Sequence, residues 1–323
     1  MQKIGLVIKG SALSPFIVFL VLLWMAILPL GLHGSSQLIL SSVSIYFVWI
    51  LLSESWNIVG GYARLLNLGL VAFFGLGAMT AGAAVNVGIP FVSAIVIGGL
   101  SGGLFAFVLM PTFRLRTDYF AIATLIIPVI LEPLVDYFGH TPSYAIPLSM
   151  ILPRVQYFYL GLMLAGLSIF GAYFLIRSKI GVALRSMGDD EYASASLGVN
   201  VLLYKTIALV VSGFIAAVAG AYYLQTVSLQ ATVFQQVTFS LFPIFMAIIG
   251  GSGTFEGPII GAVIFGALEY VSPVIFPGST ADELVLSIIV MIVAVLLPKG
   301  IMPSLRTHMS KSGAKRTLVI DGE

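Results

Sequence analysis

Acidic and amide side chains are the residues of this sequence best placed to do chemistry in apolar surroundings. Glu54, Glu132 and Glu269 lie in or beside long apolar runs. A carboxylate at membrane depth is costly enough to mark a solute or proton path by default. Each can also be read as a carboxylate near the end of a span, hydrated or bonded to a neighbouring helix. Asn57, Asn67 and Thr124 are neutral candidates, able to hold backbone, bond their own helix or line a path. Glu132 stands out because Pro128 and Pro133 bracket it, and a proline inside a helix bends it and releases a carbonyl.

Other chemistries lack their residues. With no cysteine in the chain, thiol catalysis, disulfides and cysteine-ligated metals are excluded. His33, His140 and His308 are too scattered to suggest a metal site. No G-x-x-x-x-G-K-[ST] phosphate loop occurs, and the glycine-rich runs "GLGAMTAG" and "GGSGTFEG" belong to apolar helical stretches. A net charge of +2 forms no broad basic surface for nucleic acid.

The elements that must carry these residues are membrane spans. The chain is 59% hydrophobic and 9% charged, with a mean hydropathy of +1.09, whereas soluble chains are about one quarter charged. The apolar runs lack the two-residue alternation of a barrel, so the expected fold is an all-α polytopic membrane protein. Ten spans are expected, near 14–32, 37–58, 65–85, 90–110, 117–138, 157–176, 204–224, 234–250, 255–272 and 282–298. The third, fifth, eighth and ninth are broken or kinked by glycine or proline. The first follows Lys3 and Lys9 without a clear cleavage site and is read as a retained span. With both termini cytoplasmic, every lysine and arginine except Arg154 falls on the cytoplasmic side, as the positive-inside rule requires. Residues 1–298 then form a single transmembrane domain, and 299–323 form a short basic tail. Glycines four apart, as at Gly98/Gly102 and Gly257/Gly261, suit close helix packing. A weak echo of "GYARLLNLGLVAFFGLGA" in "GGSGTFEGPIIGAVIFGA" would fit an internal repeat.

Against this background residues 177–205 are anomalous. They hold Arg177, Lys179, Arg185, Asp189, Asp190, Glu191 and Lys205 in the middle of the chain. Insertion of one charge at the bilayer centre costs about 2.5–3.5 kcal/mol, so this segment must lie outside, on the cytoplasmic side. Within it "DDEYASASLG" reads as a short helix, capped by Asp189 or Asp190 and ended at Gly198. Ala193, Ser194, Ala195 and Ser196 are small enough to let another surface approach. Two readings stand: a helix docked in a cytoplasmic partner, or an ordinary interfacial loop helix.

Four runs then resemble one family in order along nearly the whole chain. They are "WNIVGGYARLLNLGLVAFFGLGAMTAG", "RLRTDYFAIATL", "GVALRSMGDDEYASASLGVNVLLYK" and "IIGGSGTFEGPIIGAVIFGALEY". The chain is similar to the permease subunits of branched-chain amino-acid ABC importers, and most to their M-type subunit. The resemblance implies a multi-pass protein of a prokaryotic cell membrane that pairs with a second, homologous permease. It also implies two cytoplasmic ATPase subunits that bind ATP and Mg, an external substrate-binding protein, and no cofactor or catalysis on this chain. It assigns ATPase coupling to the segment around Asp189, Asp190, Glu191, Ala195 and Gly198. Leu65, Leu70, Pro128 and Val129 depart from the family pattern, which leaves the substrate open between branched-chain amino acids and solutes such as urea or amides. The rival class is an ion-coupled carrier using Glu54 or Glu132, although a capped cytoplasmic helix has no role in it.

Overall fold

The computed structural model describes residues 37–115, 117–139, 146–226, 231–275, 288 and 300–304. The described residues are helical, in chain order α1 (Gln37–Trp56), α2 (Leu70–Asn86), α3 (Phe91–Val108), α4 (Thr117–Gly139), α5 (Arg154–Arg177), α6 (Lys179–Asp189), α7 (Glu191–Ser196), α8 (Val201–Tyr223), α9 (Thr238–Gly250) and α10 (Gly257–Ile275). Five are long and apolar enough to cross a membrane: α1 with its continuation, α3, α4, α5 and α8. Shorter apolar helices are α2, α9 and the Gly257–Leu268 part of α10. Together they stand where the second to ninth spans were expected. The expected spans at 14–32 and 282–298, most of the tail 299–323, and the Glu269 side chain lie outside the described residues.

The interior combines close backbone contact with buried large side chains such as Phe47, Phe74, Phe158 and Tyr222. α2, α3 and α8 pack together, and glycine permits it. A Cβ on Gly102 would stand 2.5 Å from the Gly213 carbonyl, and one on Gly77 would strike the Ala217 backbone. Small residues at such crossings are how helices associate in lipid, where no hydrophobic force draws them together. α1 runs through the centre, touching α5, α8, α9 and α10. Its serines bond across: Ser55 Oγ donates to the Ser212 carbonyl at 2.7 Å, and Ser53 Oγ reaches the Pro258 carbonyl at 3.1 Å.

At its end α1 widens into a π-helical turn, Asn57–Tyr62, a form that recurs at functional sites. Residues 63–69 are then non-helical before α2 begins. A second break, residues 251–256, separates α9 from α10. These are the two echoing sequence runs, and they meet. Asn57 Nδ2 donates to the Thr254 carbonyl at 3.0 Å, and Gly253 N donates to Asn57 Oδ1 at 2.8 Å. Gly61 lies so close to Asn57 Oδ1 and Gly253 N that a Cβ there would collide with both.

α4 stands apart, packed mainly on a short 3-10 turn at Ala231–Gln235 and leaving Ile122, Ile126, Val129 and Ile130 exposed. Pro128 has no N–H for the Thr124 carbonyl, and Gly69 presses against that carbonyl. The broken stretch before α2 therefore sits on the kink of α4.

Candidate coupling site

The charged central segment forms two helices, one more than expected. α6 starts at Ser178, whose Oγ accepts from Ile180 N at 3.1 Å. It turns Gly181, Ala183, Leu184 and Met187 inward and leaves Val182 and Arg185 exposed. That spacing is a one-sided stripe, so α6 lies along the bundle rather than crossing it. Asp190 breaks the helix with extended backbone, and its Oδ1 accepts from Ala193 N at 2.9 Å, capping α7. α7 stops at Gly198, whose φ of +88° suits glycine. Asn200 then caps α8 by accepting from Leu203 N at 3.1 Å.

Two ion pairs tie these helices to the membrane part, and one hydrogen bond ties them to each other. Arg64 Nη2 pairs with Asp189 Oδ1 at 2.8 Å. The buried Lys205 Nζ pairs with Glu191 Oε2 at 2.7 Å. Ser186 Oγ and Ser194 Oγ share a hydrogen bond at 2.7 Å, which turns Ser194 inward. Arg64 is the one non-glycine described residue with positive φ, at 52°. It closes the π-helical turn over a cavity of about 390 Å³ lined by Gly61, Tyr62, Arg185, Asp189 and Gly253. In that cavity the Arg185 guanidinium lies 5.4 Å from the Tyr62 ring centre. The charged central segment, the first break and the second break thus meet at one place.

The sequence-predicted residues separate into two groups. Asp189, Asp190, Glu191, Ala195 and Gly198 come together here, with Asp190 as the cap and Asp189 as an ion-pair partner. Ala195 is exposed on α7. Asn57 and Asn67 hold backbone: Asn57 joins the two breaks, and Asn67 Oδ1 accepts from Gly69 N at 2.9 Å. Thr124 Oγ1 donates to the Ala121 carbonyl at 2.9 Å, within its own helix, and accepts from Leu68 N at 3.1 Å. Glu132 is partly exposed on α4, where Gln235 Nε2 donates to its two oxygens at 2.6 and 2.7 Å. Glu54 is fully buried, and neither of its oxygens has a hydrogen-bond partner among the described residues.

Sequence reasoning passed over Tyr192 and Leu197. They flank the small residues of α7 and are 88% and 83% exposed. Two bulky apolar residues inside a charged segment were the available signal. Arg64 was noticed only for its charge, and Gln235 carried no local signal at all.

The described residues thus form an apolar helical bundle with two broken spans and a charged cap held against them. The family described as branched-chain amino acid transport system / permease component matches residues 38–295, and the chain belongs to it. It is a permease subunit of an ABC importer in the inner membrane, and ATP is hydrolysed by separate ATPase subunits. Family membership therefore decides against the ion-coupled carrier. The high-affinity branched-chain amino acid permease LivM of Escherichia coli is 26% identical over 309 residues, covering 83% of this chain and 71% of that protein. The nucleoside ABC transporter permease NupC of Lactococcus lactis is 25% identical over 256 residues, covering 71% of this chain and 80% of that one. A metal-chelate type ABC transporter solved in an inward-facing conformation gives a TM-score of 0.48 at 16% identity, covering 88% of this chain and 98% of that one.

Proposed function

We propose that this chain forms half of a translocation path for branched-chain or closely related amino acids, and that ATPase motion enters it through α6 and α7. The observation that carries the reading is the pair Tyr192 and Leu197, bare on a helix that is held to α6 by Ser194 and to α8 by Glu191. Large apolar groups on a charged surface loop suit a protein partner. Residues 1–298 make one transmembrane domain with both termini cytoplasmic, and 299–323 make a basic tail beside the lipid.

A second homologous permease completes the path. Two ATPase subunits, holding ATP and Mg, grip the α7 helices from the cytoplasm, and a binding protein delivers solute outside. When the ATPases close, α7 is displaced. Asp189 and Arg64 pass that displacement to the π-helical turn, and Asn57 passes it to the second break. The halves then rock and expose the path to the other side. No covalent step occurs on this chain.

Native mass spectrometry of the assembly purified from its own membranes tests this. Recovery with a second permease and two ATPase subunits supports it. Recovery of a bare monomer or homodimer, under conditions that preserve a known ABC importer, would contradict it.

A further inference from the structure

Midway along α4 the structure holds a second cavity, of about 150 Å³. Its walls are Leu68, Val71, Leu125, Val129 and Phe234, with Gln235 at the edge. It lies where the break before α2, the proline kink of α4, the 231–235 turn and the start of α9 converge. Transporters place solute sites near mid-membrane at broken helices of this kind. Resting on the permease reading above, we propose that this cavity with Glu132 is a solute subsite for a compact apolar side chain carrying an adjacent ammonium group.

The charge argument comes from the rim. Glu132 lies one turn beyond Pro128 and Val129, both of which line the cavity, and is bonded to Gln235, which lines it too. Among the described residues the partner of Glu132 is Gln235, a neutral amide, so its charge is held by hydrogen bonds and not by a cation. A carboxylate offers about four lone-pair sites, and an ammonium brings three donors. The amide of Gln235 orients both oxygens and leaves acceptor capacity free.

The apposed helix start makes the complementary case. The N–H groups of Leu68, Gly69 and Val71 are already taken, by Thr124 Oγ1, Asn67 Oδ1 and Ser240 Oγ. Those donors are not offered to a solute carboxylate, so discrimination rests on the ammonium. The volume suits a compact group. An apolar cavity of roughly 150 Å³ takes a group as large as benzene, which covers a branched aliphatic side chain.

The test uses the native assembly in nanodiscs without its external binding protein, and the probe is tritiated leucine. Leucinamide keeps the ammonium and should displace it. 4-Methylpentanoate lacks the ammonium and should not, even in about tenfold excess. Glu132→Gln should weaken leucine binding about tenfold or more, with partial recovery in Glu132→Asp. Val129→Trp, which fills the cavity, should weaken it comparably while the assembly still elutes intact. Absence of saturable binding in the wild type, equal displacement by 4-methylpentanoate, or unchanged binding by Glu132→Gln would each overturn the proposal. Leucine uptake by the intact system with its binding protein is scored separately. Uptake alongside any of those results removes only the subsite, whereas no uptake of any branched-chain amino acid removes the substrate reading as well.

Discussion

Arg64 and Asp189 join two segments remote in sequence: the turn that ends α1 and the last residue of α6, with Nη2 and Oδ1 2.8 Å apart. Arg64 Nη1 also donates to the Gly188 carbonyl at 3.4 Å. Both side chains are well exposed, 63% and 68%, and exposed pairs contribute only about 0–1 kcal/mol to stability. The pair therefore adds little to the stability of the fold, and we propose that its use is in coupling. Asp189→Asn should leave the melting temperature of the purified assembly nearly unchanged while lowering solute uptake per ATP hydrolysed. The exchange Arg64→Asp with Asp189→Arg should recover part of that ratio.

Arg64 also sits at a φ of 52°, where a side chain is disfavoured and glycine is not. Arg64→Gly and Arg64→Ala lose the same ion pair. The glycine variant should nonetheless be the more stable, by about 1 kcal/mol, since only alanine retains the backbone strain. Paired thermal unfolding of the two variants measures the difference.

Lys205 and Glu191 are unequal partners. The lysine side chain is 7% exposed and the glutamate 47%. Removing the acid leaves a buried ammonium without its partner, and removing the lysine leaves an acid that water can reach. Glu191→Ala should therefore be the more destabilising change, with Lys205→Met near neutral. Limited proteolysis at residues 190–200 should show the order directly.

Asn57 both donates and accepts between the two breaks. Asn57→Leu leaves the Gly253 N–H and the Thr254 carbonyl without that partner, and each such loss costs about 1–3 kcal/mol. A clear drop in melting temperature is expected. An unchanged value would show that the two breaks are held together by other contacts.

Tyr192 and Leu197 make no such structural contribution. Either one changed to alanine should leave the melting temperature of the isolated permease unchanged. Burial of one such side chain is worth about 1.5–3 kcal/mol, so each change should weaken ATPase association about tenfold or more, read by titration of the purified ATPase.

The apolar runs made the helical class and the positions of the described spans legible, because length and hydropathy alone distinguish a span from a soluble helix. The cap at Asp190 and the stop at Gly198 were legible for a local reason: side-chain capping and positive φ act within a few residues. α6 was not anticipated, since its apolar stripe is short and mixed with charge. The meeting of Arg64 with Asp189, and of Glu132 with Gln235, depends on tertiary packing that no local pattern encodes. Asn57 and Asn67 were noticed as polar residues near a break, but only their partners revealed that they bind backbone.

The chain has no cysteine of its own, which allows a direct test of where ATPase motion enters. A single Ala195→Cys substitution on the exposed face of α7, treated with a short thiol cross-linker in native membranes, should join this chain to an ATPase subunit, with a yield that changes on ATP addition. Val87→Cys, exposed at the far end of α2, should not. ATPase cross-links from Val87 but none from Ala195 would contradict the account.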